Sequence, residues 1–163
     1  MTVAFVRPEI LYAWKGPALL IVDVRGECGA AQPLSGFYFR EARFLRALRL
    51  AINNEPPWLC EAASIEPDTL AFNFVHPEIK TPGGGGTGQS GDDEVLDAHG
   101  LPERSLDLRL EYRAAVSALE IRLTITNSAR RAATFELSWE LEADFADIQE
   151  AQSGKREQEA AVA

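Results

Sequence analysis

The sequence predicts an all-β protein, an antiparallel β-sandwich of two packed sheets, and three observations predict it. Three successive segments within residues 106–142 alternate apolar and polar side chains with a period of two. Their connections, around 114–117 and 127–130, are far shorter than the crossover of about a dozen residues that parallel neighbours need. Each segment has one wet face and one dry face, as expected of a sheet laid on a core.

The elements follow in chain order. Residues 1–17 lack a basic segment followed by an uninterrupted apolar core, so no export or anchoring signal is expected. Residues 18–24, Ala-Leu-Leu-Ile-Val-Asp-Val, read as a buried strand that runs into the turn Arg25-Gly26-Glu27-Cys28-Gly29, with helix the weaker reading. Within 40–52, Phe44, Leu48 and Ile52 recur at helical spacing. Phe44, Leu48, Leu50 and Ile52 also fit a strand face interrupted by Arg46, and strand is favoured. Asn53-Asn54-Glu55-Pro56-Pro57 is turn chemistry, because asparagine tolerates the left-handed region and proline has no N–H to give a ladder. Strands are expected at 58–63 and 70–75.

Residues 82–94 hold a glycine-rich run with almost nothing apolar to bury, and are expected to form a flexible surface loop. Beyond it, Leu106, Leu108, Leu110 and Tyr112 share a face opposite Asp107, Arg109 and Glu111. Leu119, Ile121, Leu123 and Ile125 do the same, as do Phe135, Leu137, Trp139 and Leu141, and the three segments are expected to form a meander. Residues 1–152 are read as one domain and 153–163 as a linker or frayed tail.

The 163 residues, 46% hydrophobic and 25% charged, match average globular usage. At 17.9 kDa the folded chain should expose about 8,000 Å² of the roughly 26,000 Å² it exposes unfolded, enough for one core. Sixteen basic against 25 acidic residues give a net charge of −9, which offers phosphates no attraction, so nucleic acid is not an expected partner. The longest apolar run, 18–22, is too short to cross a bilayer, so no membrane association is expected. Cys28 and Cys60 form no metal-ligand spacing and are read as reduced, buried thiols of a cytoplasmic protein.

Chemistry is sparse. The glycine run lacks the Gly-Lys-Ser/Thr ending of a phosphate loop and is followed by Asp92, Asp93 and Glu94. Glu140 and Glu142 share a strand face about 7 Å apart, within the spacing of glycosidase carboxylates, and Asp144 lies just beyond. An exposed strand face is ordinarily charged, however, and no apolar pocket is visible to raise a carboxyl pKa. His76 and His99 fall in no metal motif and read as turn residues, and no Gly-x-Ser-x-Gly nucleophile string occurs. No catalytic residue, cofactor or metal is therefore assigned. Trp14, Tyr38 and Trp58 lie in or beside turn-rich segments and are candidates for stacking on a sugar ring. Arg40-Glu41-Ala42-Arg43 reads equally as a ligand or interface clamp and as a surface ion-pair cluster.

Five segments in order resemble the N-terminal domain of glycogen debranching enzymes of the amylo-alpha-1,6-glucosidase type: LLIVDVRGECG, GFYFREARFLRALRLAINNEPPWL, LPERSLDLRLEYR, LEIRLTITN and FELSWELEADFADIQEAQ, spanning roughly 18–152. Glu41-Ala42 stands where that family has Asp-Thr, Gln149 replaces an aromatic or aliphatic residue, and the glycine-rich loop resembles an insertion. The resemblance implies a supersandwich-like β-domain without a complete active site. It also implies, as partner, a catalytic glucosidase domain, an α/α toroid that in the family follows in the same chain and supplies the catalytic carboxylates. No toroid is expected within this chain, whether the chain is an excised domain or a free-standing one. The matching segments assign Arg40, Arg43, Phe44, Asp144, Phe145 and Asp147 to a domain interface or α-glucan cleft. Two alternatives accompany that expectation. One is an autonomous carbohydrate-binding module; the other is an assembly domain that associates with itself.

Overall fold

The computed structural model describes residues 10–29, 32–78 and 95–153. The glycine-rich run and the tail beyond Ser153 therefore lie outside the described residues. Among the described residues, ten strands and one short helix follow in order: β1 (Ile10–Lys15), β2 (Ala18–Asp23), β3 (Gly36–Phe39), β4 (Ala42–Leu45), β5 (Ala47–Ile52), β6 (Trp58–Glu66), β7 (Thr69–His76), β8 (Leu106–Ala115), β9 (Ala118–Asn127), β10 (Leu137–Glu142) and α1 (Ile148–Ser153).

Every strand pairing is antiparallel, in the orders β1-β2-β3-β4, β6-β7-β8-β9 and β10-β5. Ala13, Leu20, Val22 and Phe37 from the first sheet meet Leu70, Phe72, Phe74, Leu108, Leu110 and Tyr112 from the second. Leu48, Leu50 and Ile52 of β5 complete the same core. The all-β sandwich is thus the observed fold. The chain changes sheets at Arg46, between β4 and β5, and β5 is tied back to the loop after β2 by the Cys28–Leu48 bridge.

Two polar groups cross the layers. The Tyr112 hydroxyl donates to the Gly26 carbonyl at 2.9 Å, and Gly26 (φ 77°) sits so close to the Phe72 ring that an added Cβ would stand 3.0 Å from it. Lys15 reaches Asp68 at 2.8 Å, pinning the β1 end to the β6–β7 turn, where the Trp14 N–H also donates to the Pro67 carbonyl.

The turn at 53–57 is formed as its composition demands, with Asn53 and Asn54 at φ 51° and 64°. The expected three-stranded meander is corrected. Segments β8 and β9 form a hairpin, but β10 pairs with β5 in the register Leu137↔Ile52 to Glu142↔Ala47. Residues 128–136 carry the chain away from β9. Because β10 is one of only two strands in its ladder, Leu141 and Leu137 remain exposed and Trp139 is only partly buried.

Candidate functional site

The sequence places three charged residues and one aromatic residue in 40–45 and two acidic residues beside a phenylalanine in 144–147, and the fold brings the two stretches together. The Arg43 N–H donates to the Ala146 carbonyl at 2.7 Å, and Ala42 forms an antiparallel bridge with Asp147. Six candidates named from the sequence, Arg40, Arg43, Phe44, Asp144, Phe145 and Asp147, therefore occupy one corner of the sandwich.

Arg43 is buried at that corner. Its Nε–H and Nη2–H donate to Asp144 Oδ1 and Oδ2 at 3.1 and 2.5 Å, a two-point fork, while Nη1–H donates to the carbonyls of Pro33 at 2.6 Å and Ser35 at 3.3 Å. The stem passes directly over Gly36 (φ 149°), where an added Cβ would lie 2.5 Å from Arg43 Cδ. Burial pushes the Asp144 carboxyl up, but the Arg43 hydrogen bonds and charge, with the Ala146 N–H, outweigh it and hold Asp144 below the usual carboxylate range. Burial pulls the Arg43 guanidinium down, and its bonds to Asp144 more than restore it. This pair is a brace, and both alternatives for the charged knot are refined by it: Arg43 is neither a free clamp nor a surface ion pair.

The brace holds two aromatic rings outward. Tyr38 pairs with Arg43 and Phe37 with Leu45, so the register skips Phe44, the extra residue of a β-bulge. Phe44 is 42% exposed, and Phe145, held at φ 53°, is 63% exposed. Their rings meet edge to face at 5.5 Å, and Phe39 packs on Phe44 at 6.3 Å. Asp147 is otherwise engaged: its Oδ1 accepts the Gln149 and Glu150 N–H groups at 2.8 Å each, while its own N–H donates to Glu150 Oε2 at 3.1 Å, a capping box that starts α1.

The stacking candidates separate. Tyr38 is corrected: at 1% exposed, with its hydroxyl donating to the Leu34 carbonyl at 3.0 Å, it has no ring face to offer a sugar. Trp14 and Trp58 are 52% and 47% exposed. Trp58 begins β6 on the edge of the other sheet, whereas Trp14 belongs to the first sheet's outer face, where Trp14, Leu19, Tyr38 and Arg43 pair in a row across four strands. Leu34 and the Arg43–Asp144 brace cover one end of this row, and the Trp14 end is open.

The remaining residues weighed from the sequence lie elsewhere. Glu140 pairs with Arg49 at 2.9 Å and Glu142 with Arg46 at 3.1 Å, both on the exposed β10–β5 ladder. His76 is buried at the end of β7 with Nε2 unpartnered, and His99 lies in a turn. Cys28 is buried, and burial pushes its thiol up to about 12. Cys60 is exposed, which corrects the expectation of two buried thiols: β6 is an edge strand with few buried positions. Among the described residues no group of three His, Cys, Asp or Glu side chains is placed to hold a metal ion. No helix among them is long and apolar enough to cross a membrane.

The described residues thus form an antiparallel β-sandwich with an exposed, braced aromatic corner. Residues 14–163 match the family described as the N-terminal domain of (some) glycogen debranching enzymes, and the chain belongs to that family. No curated protein matches the chain.

Proposed function

We propose that this chain is a non-catalytic accessory domain that packs against an α/α toroid glucosidase domain and helps shape its α-glucan site. The observation that carries the reading is the Phe44–Phe145 pair: two large rings turned to solvent, held by a bulge, a left-handed residue and a buried ion pair. Exposed rings fixed in one arrangement lose little freedom on docking, and aromatic residues, phenylalanine included, are enriched at the cores of interfaces. Leu141 and Ile148, also exposed, lie close by in the chain and add apolar area. The reading puts the domain in the cytoplasm, in keeping with two unpaired cysteines.

The test mixes the purified chain with the separately expressed toroid of a debranching enzyme and measures association by analytical ultracentrifugation. The native chain is expected to bind, and a Phe44→Ser, Phe145→Ser double variant to bind at least about tenfold more weakly with its melting temperature nearly unchanged. Equal binding by the variant refutes the docking face. Self-association of the chain with no affinity for the toroid refutes the accessory role and favours an assembly domain.

A further inference from the structure

The outer face of the first sheet carries a second feature, beside the phenylalanine corner. An open groove of about 680 Å³ is lined by Trp14, Gly16, Pro17, Ala18, Leu19, Arg40 and Glu41. That volume lies within the range of small-ligand sites. Its walls are the β1–β2 and β3–β4 turns, which are locked together: the Arg40 N–H donates to the Pro17 carbonyl at 2.7 Å, and Gly16 and Arg40 both take left-handed backbone angles, φ 57° and 58°. The Arg40 guanidinium lies 5.7 Å from the Phe39 ring centre. Among the described residues, neither it nor the Glu41 carboxylate is engaged in an ion pair. Tyr12, two positions before Trp14 and on the same face, continues the aromatic surface into an adjoining groove of about 600 Å³.

We propose that this groove is a subsite for the hexopyranose rings of an α-glucan, with the Trp14 indole as stacking platform and Arg40 and Glu41 as hydroxyl partners. A pyranose ring has an apolar face of C–H groups and a rim of hydroxyls that both donate and accept. The groove supplies both: a half-exposed indole for the face, and a donor-only guanidinium beside an acceptor-only carboxylate for the rim. The adjacent opposite charges sum to zero, which suits a neutral ligand. A phosphate or other anion would meet Glu41 and the chain's net charge of −9. An apolar peptide side chain would need a deeper enclosure than this open trough offers.

The inference takes only its choice of ligand from the proposed function, and its test leaves the toroid out. The whole chain is titrated with maltoheptaose, with cellohexaose as the β-linked control, following indole fluorescence and amide NMR shifts. Saturable shifts centred on Trp14, Gly16 and Arg40 are expected with maltoheptaose. They should be retained in Trp58→Ala and weakened at least about tenfold in Trp14→Ala. The charge-neutral Glu41→Gln variant should weaken them several-fold and guards against a misfolded Trp14→Ala. No saturable shift at millimolar maltoheptaose, or shifts unchanged in both Trp14→Ala and Glu41→Gln, overturns the subsite even if the toroid docks. Equal affinity for cellohexaose overturns the α-glucan assignment.

Discussion

Replacing Asp144 by Asn removes the charge of the brace while keeping its shape, and the consequence can be worked out from the contacts. Arg43 and Asp144 expose only 8% and 16% of their side chains, so the guanidinium left behind cannot recover its hydration. Removing one partner of a buried ion pair costs about 3 to 5 kcal/mol. The lower end applies here, because the Pro33 and Ser35 carbonyls still accept from Nη1. A loss of about 3 kcal/mol in a chain of this length lowers the melting temperature by about 6 to 12 °C. The loss also has a pH signature. The Asp144 carboxyl is held below its unfolded value of about 3.9. The ion pair therefore stabilises the native state fully above that value and progressively less as pH falls through the lower, folded one. Urea unfolding of wild type and Asp144→Asn should thus differ by about 3 kcal/mol at neutral pH and converge in strong acid, where the wild-type carboxyl is itself neutral. A difference below about 1 kcal/mol at neutral pH, the worth of an exposed pair, or one that persists undiminished in acid, refutes the brace.

Three further outcomes are expected. Gly36→Ala forces a Cβ to within 2.5 Å of Arg43 Cδ and 2.6 Å of the Leu45 carbonyl at φ 149°, and should cost about 2 kcal/mol or more in urea unfolding. Burial lowers the His76 pKa, Asp97 and Glu55 partly restore it and His99 lowers it further. The unfolded state therefore takes up the proton first, and stability should fall as pH drops below about 6.5, a slope that His76→Phe should flatten. Asp147→Ala removes the acceptor for two N–H groups of α1 and should cost about 1 kcal/mol, read as faster amide exchange confined to Ile148–Ser153.

What the sequence made legible was whatever repeats locally. Strands β2, β8 and β9 announce themselves through a buried run or a period of two, and the Asn53-Asn54 turn through side chains that tolerate the left-handed region, whereas within 40–52 helical and strand spacing coincide. The pairing of β10 with β5 carried no such signal, since alternation marks the faces of a strand and not its neighbours. Strand β1 was missed for a related reason. Its outer face bears Ile10, Tyr12 and Trp14 where a solvated strand carries polar residues, so no contrast of period two appears. Arg43 read equally as a clamp and as part of a surface ion-pair cluster, because its partner is 101 residues away. Tyr38 read as a candidate stacking ring because nothing local shows that the Leu34 turn and the Arg43 side chain close over it.

The acidic ending of the domain is where a glycosidase reading is most tempting, and the partners of each carboxylate argue about it in detail. Glu140 faces Arg49 on β5 and Glu142 faces Arg46 just before it, Asp144 is held by both arms of Arg43, and Asp147 accepts the first N–H groups of α1. A general acid needs a carboxyl whose pKa is raised by an apolar pocket, yet the Arg43 fork holds Asp144 in the opposite direction. For Asp144 to act as an acid it would first have to surrender the fork that braces the sheet corner. The groups at this end of the sandwich with surface left to give are of another kind: the rings of Phe44, Phe145 and Trp14, and the side chains of Arg40 and Glu41. Rings and hydroxyl partners bind and position. That division, acids engaged by partners within the chain and aromatics presented outward, supports the proposal that the domain is a surface serving chemistry supplied by a partner.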